Sequence, residues 1–334
     1  MRPSGAFVVL ASLACGLAGA CSMYGSDTAT APVDGGVDAT TTEDANAPDP
    51  DGGKDAAGDV AADARCDAAT PFGAPVFVSG IDVGAQELSA TLTPDGLQIV
   101  FASSRALPSV TGNHLYAAAR PSTSAAFGDA QALPGLLTTN VNDYWATSAP
   151  WTGTDLYFCS TRPNDTASSI FVTTYLAGAG TFAAPVQVAS LVNDAQGLCY
   201  PHAARHAQEI WMGGSTANAN VYRASRQASG GFATPVAVTE LNTDQEDSLP
   251  VLSDDGLVVY WTSNRTDKTH GRADIWVATR SDPNGAFGDL RNVDELNSSG
   301  NDWPSWLSPD QCKIYLSSDR SESRYRLFVA SRSP

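Results

Sequence analysis

The chain repeats itself. Phenylalanines that open short alternating segments recur at Phe72, Phe127, Phe182, Phe232 and Phe287, at intervals of 55, 55, 50 and 55 residues. Self-similarity at this period restricts the fold to a solenoid, a propeller or an array, because each unit must bury its apolar face against the next. The residues between the phenylalanines choose among these. Segments such as LQIVFAS, DLYFCS, EIWMGGS, LVVYWTS and KIYLSS are aromatic and β-branched strands, and HLYAAAR, SIFVTTY, NVYRASR, DIWVATR and RLFVASR follow them. Clusters such as Pro94-Asp95-Gly96 and Asp254-Asp255-Gly256 mark turns between them. No stretch sustains a helical period. Four strands in about 50 residues is the content of one propeller blade. The expected fold is therefore all-β: a β-propeller of five four-stranded blades over residues 71–334, with a sixth blade left open only by the degenerate third repeat.

The ends of the repeat array predict how the ring closes. The segment from Phe72 to Val78 precedes any complete unit, and the last unit stops after Arg326–Ser331 without an outer strand. The N-terminal strand should therefore complete the last blade, which removes the exposed surface between first and last units. Four cysteines lie at or near this array. Cys66 precedes the closing strand and Cys312 sits in a turn of the last unit, so these two are expected to pair. Cys159 and Cys199, on strands of successive units, form the second expected pair. No Cys-x-x-Cys spacing occurs, so no metal site and no cofactor is expected.

Three of the units, TLTPDGLQIVFASSR (91–105), VLSDDGLVVYWTSNR (251–265) and SWLSPDQCKIYLSSDR (305–320), resemble the Pro-Asp type of WD-like β-propeller repeat. That repeat is found in Tol-associated periplasmic propellers and in bacterial envelope lipoproteins. The resemblance spans residues 71–334, and is degraded in the second unit and poor in the third. It implies a fold and an envelope setting, and little about activity, because one fold carries many functions.

The N-terminal stretch fits that setting. Arg2 followed by the apolar run 6–17 reads as an export signal over residues 1–20, too short to span a membrane. Leu17-Ala18-Gly19-Ala20-Cys21 is similar to a bacterial lipobox, which makes Cys21 the expected site of lipidation; without it the protein would simply be secreted. Residues 21–70 are expected to be a disordered linker. Residues 22–70 carry eleven acids against Lys54 and Arg65 and almost no large apolar side chain, so they cannot bury enough surface to offset their ordering entropy. The whole chain has a formal charge of −17, which excludes nucleic acid as a partner, since phosphate recognition needs clustered cations. The expected protein is a monomer on an envelope membrane, either outer-membrane or surface, held there only by its lipid.

Two sets of residues stand out within the repeats. Glu87, Asp143, Asp247 and Asp302 precede the second strand of their units, Asp143 one position out of step. Arg105, Arg162, Arg265 and Arg320 close the following Ser-x-Arg. The third unit has Leu198 and Gly213-Gly214-Ser215 instead. Joint loss of acid and arginine is the mark of a structural pair that serves every blade. Function should lie where the repeat fails. There the second unit carries Asp143-Tyr144-Trp145 and Trp151, the third Tyr200, His202 and His206, and the fifth Trp303 and Trp306. Asp143, Tyr144, Trp145, Tyr200, His202 and Trp303 are the candidate ligand-binding residues, suited to a sugar or a peptide. His202 and His206 lie on strand and turn, not on a helix, so their spacing of four does not suggest a metal, and both are expected near the surface. Ser253-Asp254-Asp255-Gly256 lacks the spacer of a sialidase Asp box. No Gly-x-Ser-x-Gly elbow occurs, and no catalytic residue is assigned. The expected role is a binding or scaffolding module for a protein or glycan partner. The alternative is a carbohydrate-active hydrolase of five-bladed type with channel carboxylates.

Overall fold

The computed structural model describes residues 65–334, apart from 109, 151, 163–167, 193–196, 216–218 and 267–269. The leader, Cys21, most of the acidic linker and Trp151 lie outside the described residues. Twenty-one strands and one short 3-10 turn (Ala189–Leu191) make up the described secondary structure. The first blade is β2 (Glu87–Leu92), β3 (Gln98–Ser103), β4 (His114–Ala119) and β5 (Gln131–Ala132). The second is β6 (Asp143–Ser148), β7 (Asp155–Ser160), β8 (Ser169–Leu176) and β10 (Val186–Gln187), with β9 (Thr181–Phe182) extending the end of β8. The third is β11 (Cys199–Ala204), β12 (Glu209–Gly213), β13 (Val221–Ser225) and β14 (Val236–Ala237). It is one blade, and no sixth blade hides in it. The fourth is β15 (Asp247–Leu252), β16 (Val258–Ser263), β17 (Asp274–Thr279) and β18 (Gly288–Asn292). The fifth is β19 (Asp302–Leu307), β20 (Lys313–Ser318), β21 (Arg326–Ser331) and, from the other end of the chain, β1 (Val76–Phe77). Val76 pairs with Val329 and Phe77 with Phe328, so the N-terminal strand closes the ring.

Both expected disulfides form, Cys66 to Cys312 and Cys159 to Cys199. Disulfides persist in oxidising compartments, which places the folded part outside the reducing cytoplasm. No helix among the described residues is long and apolar enough to cross a membrane.

The core is divided, one apolar cluster to each blade boundary. The repeating phenylalanines explain why. Phe127 packs between blades five and one, Phe182 between one and two, and Phe232 between two and three. Phe287 packs between three and four, and Phe72 between four and five. Each unit's aromatic lead is thus buried against the preceding unit, so no blade is complete alone. The inner strands β2, β6, β11, β15 and β19 neighbour one another in a ring. Each carries an irregularity after its first residues, as between Leu88 and Thr91. At four of them a residue with positive φ turns the chain: Ser89, Trp145, Tyr200 and Leu249. The bulges bend the strands, which narrows the axis between them. The enclosed space at that level is about 40 Å³, room for a water and not for a sugar ring.

Candidate functional site: the mouth of the central channel

The inner strands begin at one end of the axis, and their first residues form a buried ring. Asp143 takes a two-pronged contact from Arg162, at 2.8 Å on each oxygen. Arg265 Nη2 reaches Asp247 at 2.8 Å, and Arg320 Nη2 reaches Asp302 at 2.6 Å. Every one of these arginines also donates to a carbonyl of the incoming loop, Leu136, Leu241 or Leu296. The remaining carboxylate oxygens are taken too. Asp247 Oδ2 accepts from the backbone and hydroxyl of Thr243, and Asp302 Oδ2 from those of Ser298. These groups clamp loop, inner strand and second strand together, and each of these carboxylate oxygens is already engaged by the protein. Asp143 falls in step with the others because its hairpin is one residue longer: it pairs with Ser160 as Glu87 pairs with Ser103.

Glu87 is the exception. Its extra methylene sets the carboxylate 3.5 Å from Arg105 and 3.4 Å from Arg324, looser than the aspartates. Burial outweighs these cations and lifts its pKa to about 7. Asp143 is also raised, by burial against the pull of Arg162.

Above this ring the structure gathers the aromatic candidates. Tyr144, Trp145 and Tyr200 pack mutually, with Trp145 and Tyr200 centroids 5.0 Å apart, and Trp145 lies 5.6 Å from Trp303. Tyr325, which the sequence pattern did not single out, stacks on Trp303 at 4.1 Å. It sits just before β21, outside any repeat landmark, and the sheet of blade five brings it to Trp303. Trp145 and Tyr200 both hold left-handed backbone, an uncommon state for bulky side chains, and it turns both rings inward. The five rings are half-buried and together form the floor of the mouth. Burial raises the Tyr200 phenol well above its ordinary value, helped by nearby Tyr144 and Glu246, and pushes Tyr325 up to about 12.

At the rim stand Glu246 and Arg272. Glu246 is half-buried and makes no ion pair among the described residues, and burial together with adjacent Asp247 raises its pKa. Position alone could have marked it: the corresponding residues Gln86, Asn142 and Asn301 are all uncharged. Arg272 is exposed and lies close enough to Tyr325 to act on its phenol.

The histidines depart from expectation. His202 is not a surface residue: its Nε2 accepts the Leu252 backbone N–H at 3.2 Å across the boundary of blades three and four. Thr147 makes the matching contact with Ala203 one boundary earlier. Enclosure between strands, with Arg205 and His206 nearby, lowers the His202 pKa to about 3 and keeps it neutral. It lines the narrow axial space together with Trp145 and Tyr200. His206 lies on the opposite face, its ring packed on Gly256 and within 3.5 Å of Arg280. No group of three or more metal-ligating side chains occurs among the described residues.

No protein-family model matches the chain, and no curated protein matches it in sequence. Solved structures do resemble it. An α-L-arabinofuranosidase from Podospora anserina is similar at 13% identity with a TM-score of 0.49, covering 79% of this chain and 97% of that one. A family 62 α-L-arabinofuranosidase catalytic domain from Coprinopsis cinerea is similar at 12% identity and 0.46, covering 79% and 97%. A TolB candidate from Agrobacterium tumefaciens is similar at 14% identity and 0.44, covering 79% and 91%. Likeness at these identities is one of fold, and no activity travels with it.

Proposed function

We propose that the protein is an exported glycan-binding module whose ligand lies across the aromatic floor of the channel mouth. One observation carries this reading: half-buried Tyr144, Trp145, Tyr200, Trp303 and Tyr325, drawn from three blades, converge beside Glu246 and Arg272, which form no ion pair among the described residues. Aromatic faces receive the C–H faces of sugars, and a carboxylate and a guanidinium at the rim receive their hydroxyls. The narrow waist beneath keeps such a ligand at the surface. Titration of a glycan panel should find a ligand that Tyr200→Ala and Trp303→Ala each weaken by about tenfold or more. A panel with no binder, or one indifferent to both substitutions, overturns the reading and leaves a protein partner.

Hydrolysis has a narrower basis, the raised pKa of Glu246, which suits a general acid. Glu87, though raised further, is sealed beneath Arg105 and Arg324. Release of reducing sugar, abolished by Glu246→Gln, would replace binding with catalysis. Attachment to an envelope membrane through Cys21 belongs to the same proposal. Labelled palmitate should enter the wild-type chain and fail to enter Cys21→Ser; equal uptake by both rules it out.

A further inference from the structure

The face opposite the mouth carries a second recess. Three boundaries share one device: an arginine that leaves its own blade, donates to the turn before its second strand, and stacks on the repeating phenylalanine. Arg280 donates to Gly256 and lies over Phe287, Arg332 donates to Gln311 and lies over Phe72, and Arg120 donates to Gly96 and lies over Phe127. At the first of these the space beside the arginine is filled by His206, whose ring packs so closely on Gly256 that a Cβ there would stand 2.5 Å from it. At the second, the segment before β1 lies over it, with Cys66 N–H on Asp310 and Arg332 Nη1 on Thr70. Between blades five and one none of the described residues fills that place, and Arg65 only borders it. A cavity of about 620 Å³ remains, within the range of small-molecule sites.

Its lining defines the occupant. Trp306 and Tyr315, edge to face at 5.6 Å, make the apolar wall. Lys313 forms no ion pair among the described residues, and Arg120, held by Gly96 and Tyr315, keeps its Nη1 free of protein partners there. Asp95 and Asp310 spend one carboxylate oxygen on their own turns, through Leu97 N–H and Cys312 N–H, and Oδ2 of each has no hydrogen-bond partner among the described residues. An anion is wanted at Lys313 and Arg120, hydroxyl donors at Asp95 and Asp310, and a flat apolar face at Trp306. We infer that this recess binds an acidic sugar, a uronic acid, by its carboxylate and one ring face. It is separate from the mouth and does not depend on the mouth's reading.

Calorimetric titration of the full chain at low ionic strength with galacturonate and glucuronate, and with galactose and glucose as controls, tests this. The uronates should show binding that a filled recess removes, and the neutral sugars should not. Lys313→Met should weaken uronate binding by about tenfold, and Thr123→Trp, which fills the cavity rim, should abolish it. Tyr200→Ala at the mouth should leave it unchanged. Circular dichroism of each variant verifies the fold. Absence of uronate binding, equal neutral-sugar binding that Thr123→Trp also removes, or uronate binding lost in Tyr200→Ala but kept in Thr123→Trp overturns the assignment.

Discussion

Cys159 is bonded to Cys199 at a place where the other described boundary contacts are non-covalent. In blades three, four and five the residue at the position before the Ser of Ser-x-Arg faces the start of the next blade's inner strand. Thr262 Oγ1 donates to Asp302 O at 3.2 Å, Ser317 Oγ accepts from Ser89 N–H at 2.9 Å, and Gly213 sits directly against Ser248. Cys159 occupies the same position in blade two, and its partner opens the inner strand of blade three. The third blade has no acid at Leu198 to tie its inner strand to its loop. The disulfide anchors that strand to blade two.

Removing this bond should therefore destabilise the ring at its weakest blade. It closes 40 residues, for which the chain-entropy argument gives about 4 kcal/mol. Thermal melts of the Cys159→Ser/Cys199→Ser variant should fall well below wild type, and addition of reductant should then move that variant only through Cys66–Cys312. An unchanged melting temperature would contradict the anchor.

Breaking one buried ion pair from one side should cost more than removing both partners. Asp247→Asn or Arg265→Met leaves a charge or donor enclosed, at a cost of about 3–5 kcal/mol, whereas the double variant should lose less than the sum. Denaturant unfolding of the four proteins measures the coupling. Additive losses would mean that the pair does not act as a unit.

Two groups give stability opposite pH slopes. His202 has a folded pKa of about 3 against an ordinary value near 6.5, so the unfolded chain binds the extra proton, and stability present above pH 6.5 is lost as pH falls toward 3. Glu87, raised from 4.5 to about 7, contributes stability that is full below pH 4.5 and lost as pH rises through 7. His202→Thr, which keeps an acceptor like Thr147, should flatten the acid limb. Glu87→Gln should flatten the loss above pH 4.5. Melting temperatures across pH 4 to 8 separate them, and unchanged profiles would refute both assignments.

Gly213 has no room for a side chain. A Cβ there would stand 2.1 Å from Ser248 Oγ and 2.9 Å from the Leu249 backbone nitrogen of the next blade. Gly213→Ala should cost about 1–3 kcal/mol, read from the urea midpoint, while Gly178→Ala, with nothing within 4 Å, should stay near wild type.

The local pattern determined much of this protein, and the reason is that a blade is built from contacts between near neighbours in sequence. Phenylalanine spacing set five blades, the unpaired N-terminal strand set the closure, and the cysteines' places relative to that closure set both bridges. The turn aspartates are equally local: Asp95 and Asp255 accept from the backbone two residues on. What the ring brings together was not legible. His202 reaches Leu252 across blades three and four, Lys313 and Arg120 line one recess between blades five and one, and Trp145 of blade two lies against Trp303 of blade five. Those contacts depend on inter-blade packing, for which the sequence has no period. The repeat therefore spelled out the scaffold, and tertiary structure alone decided which irregular residues share a surface.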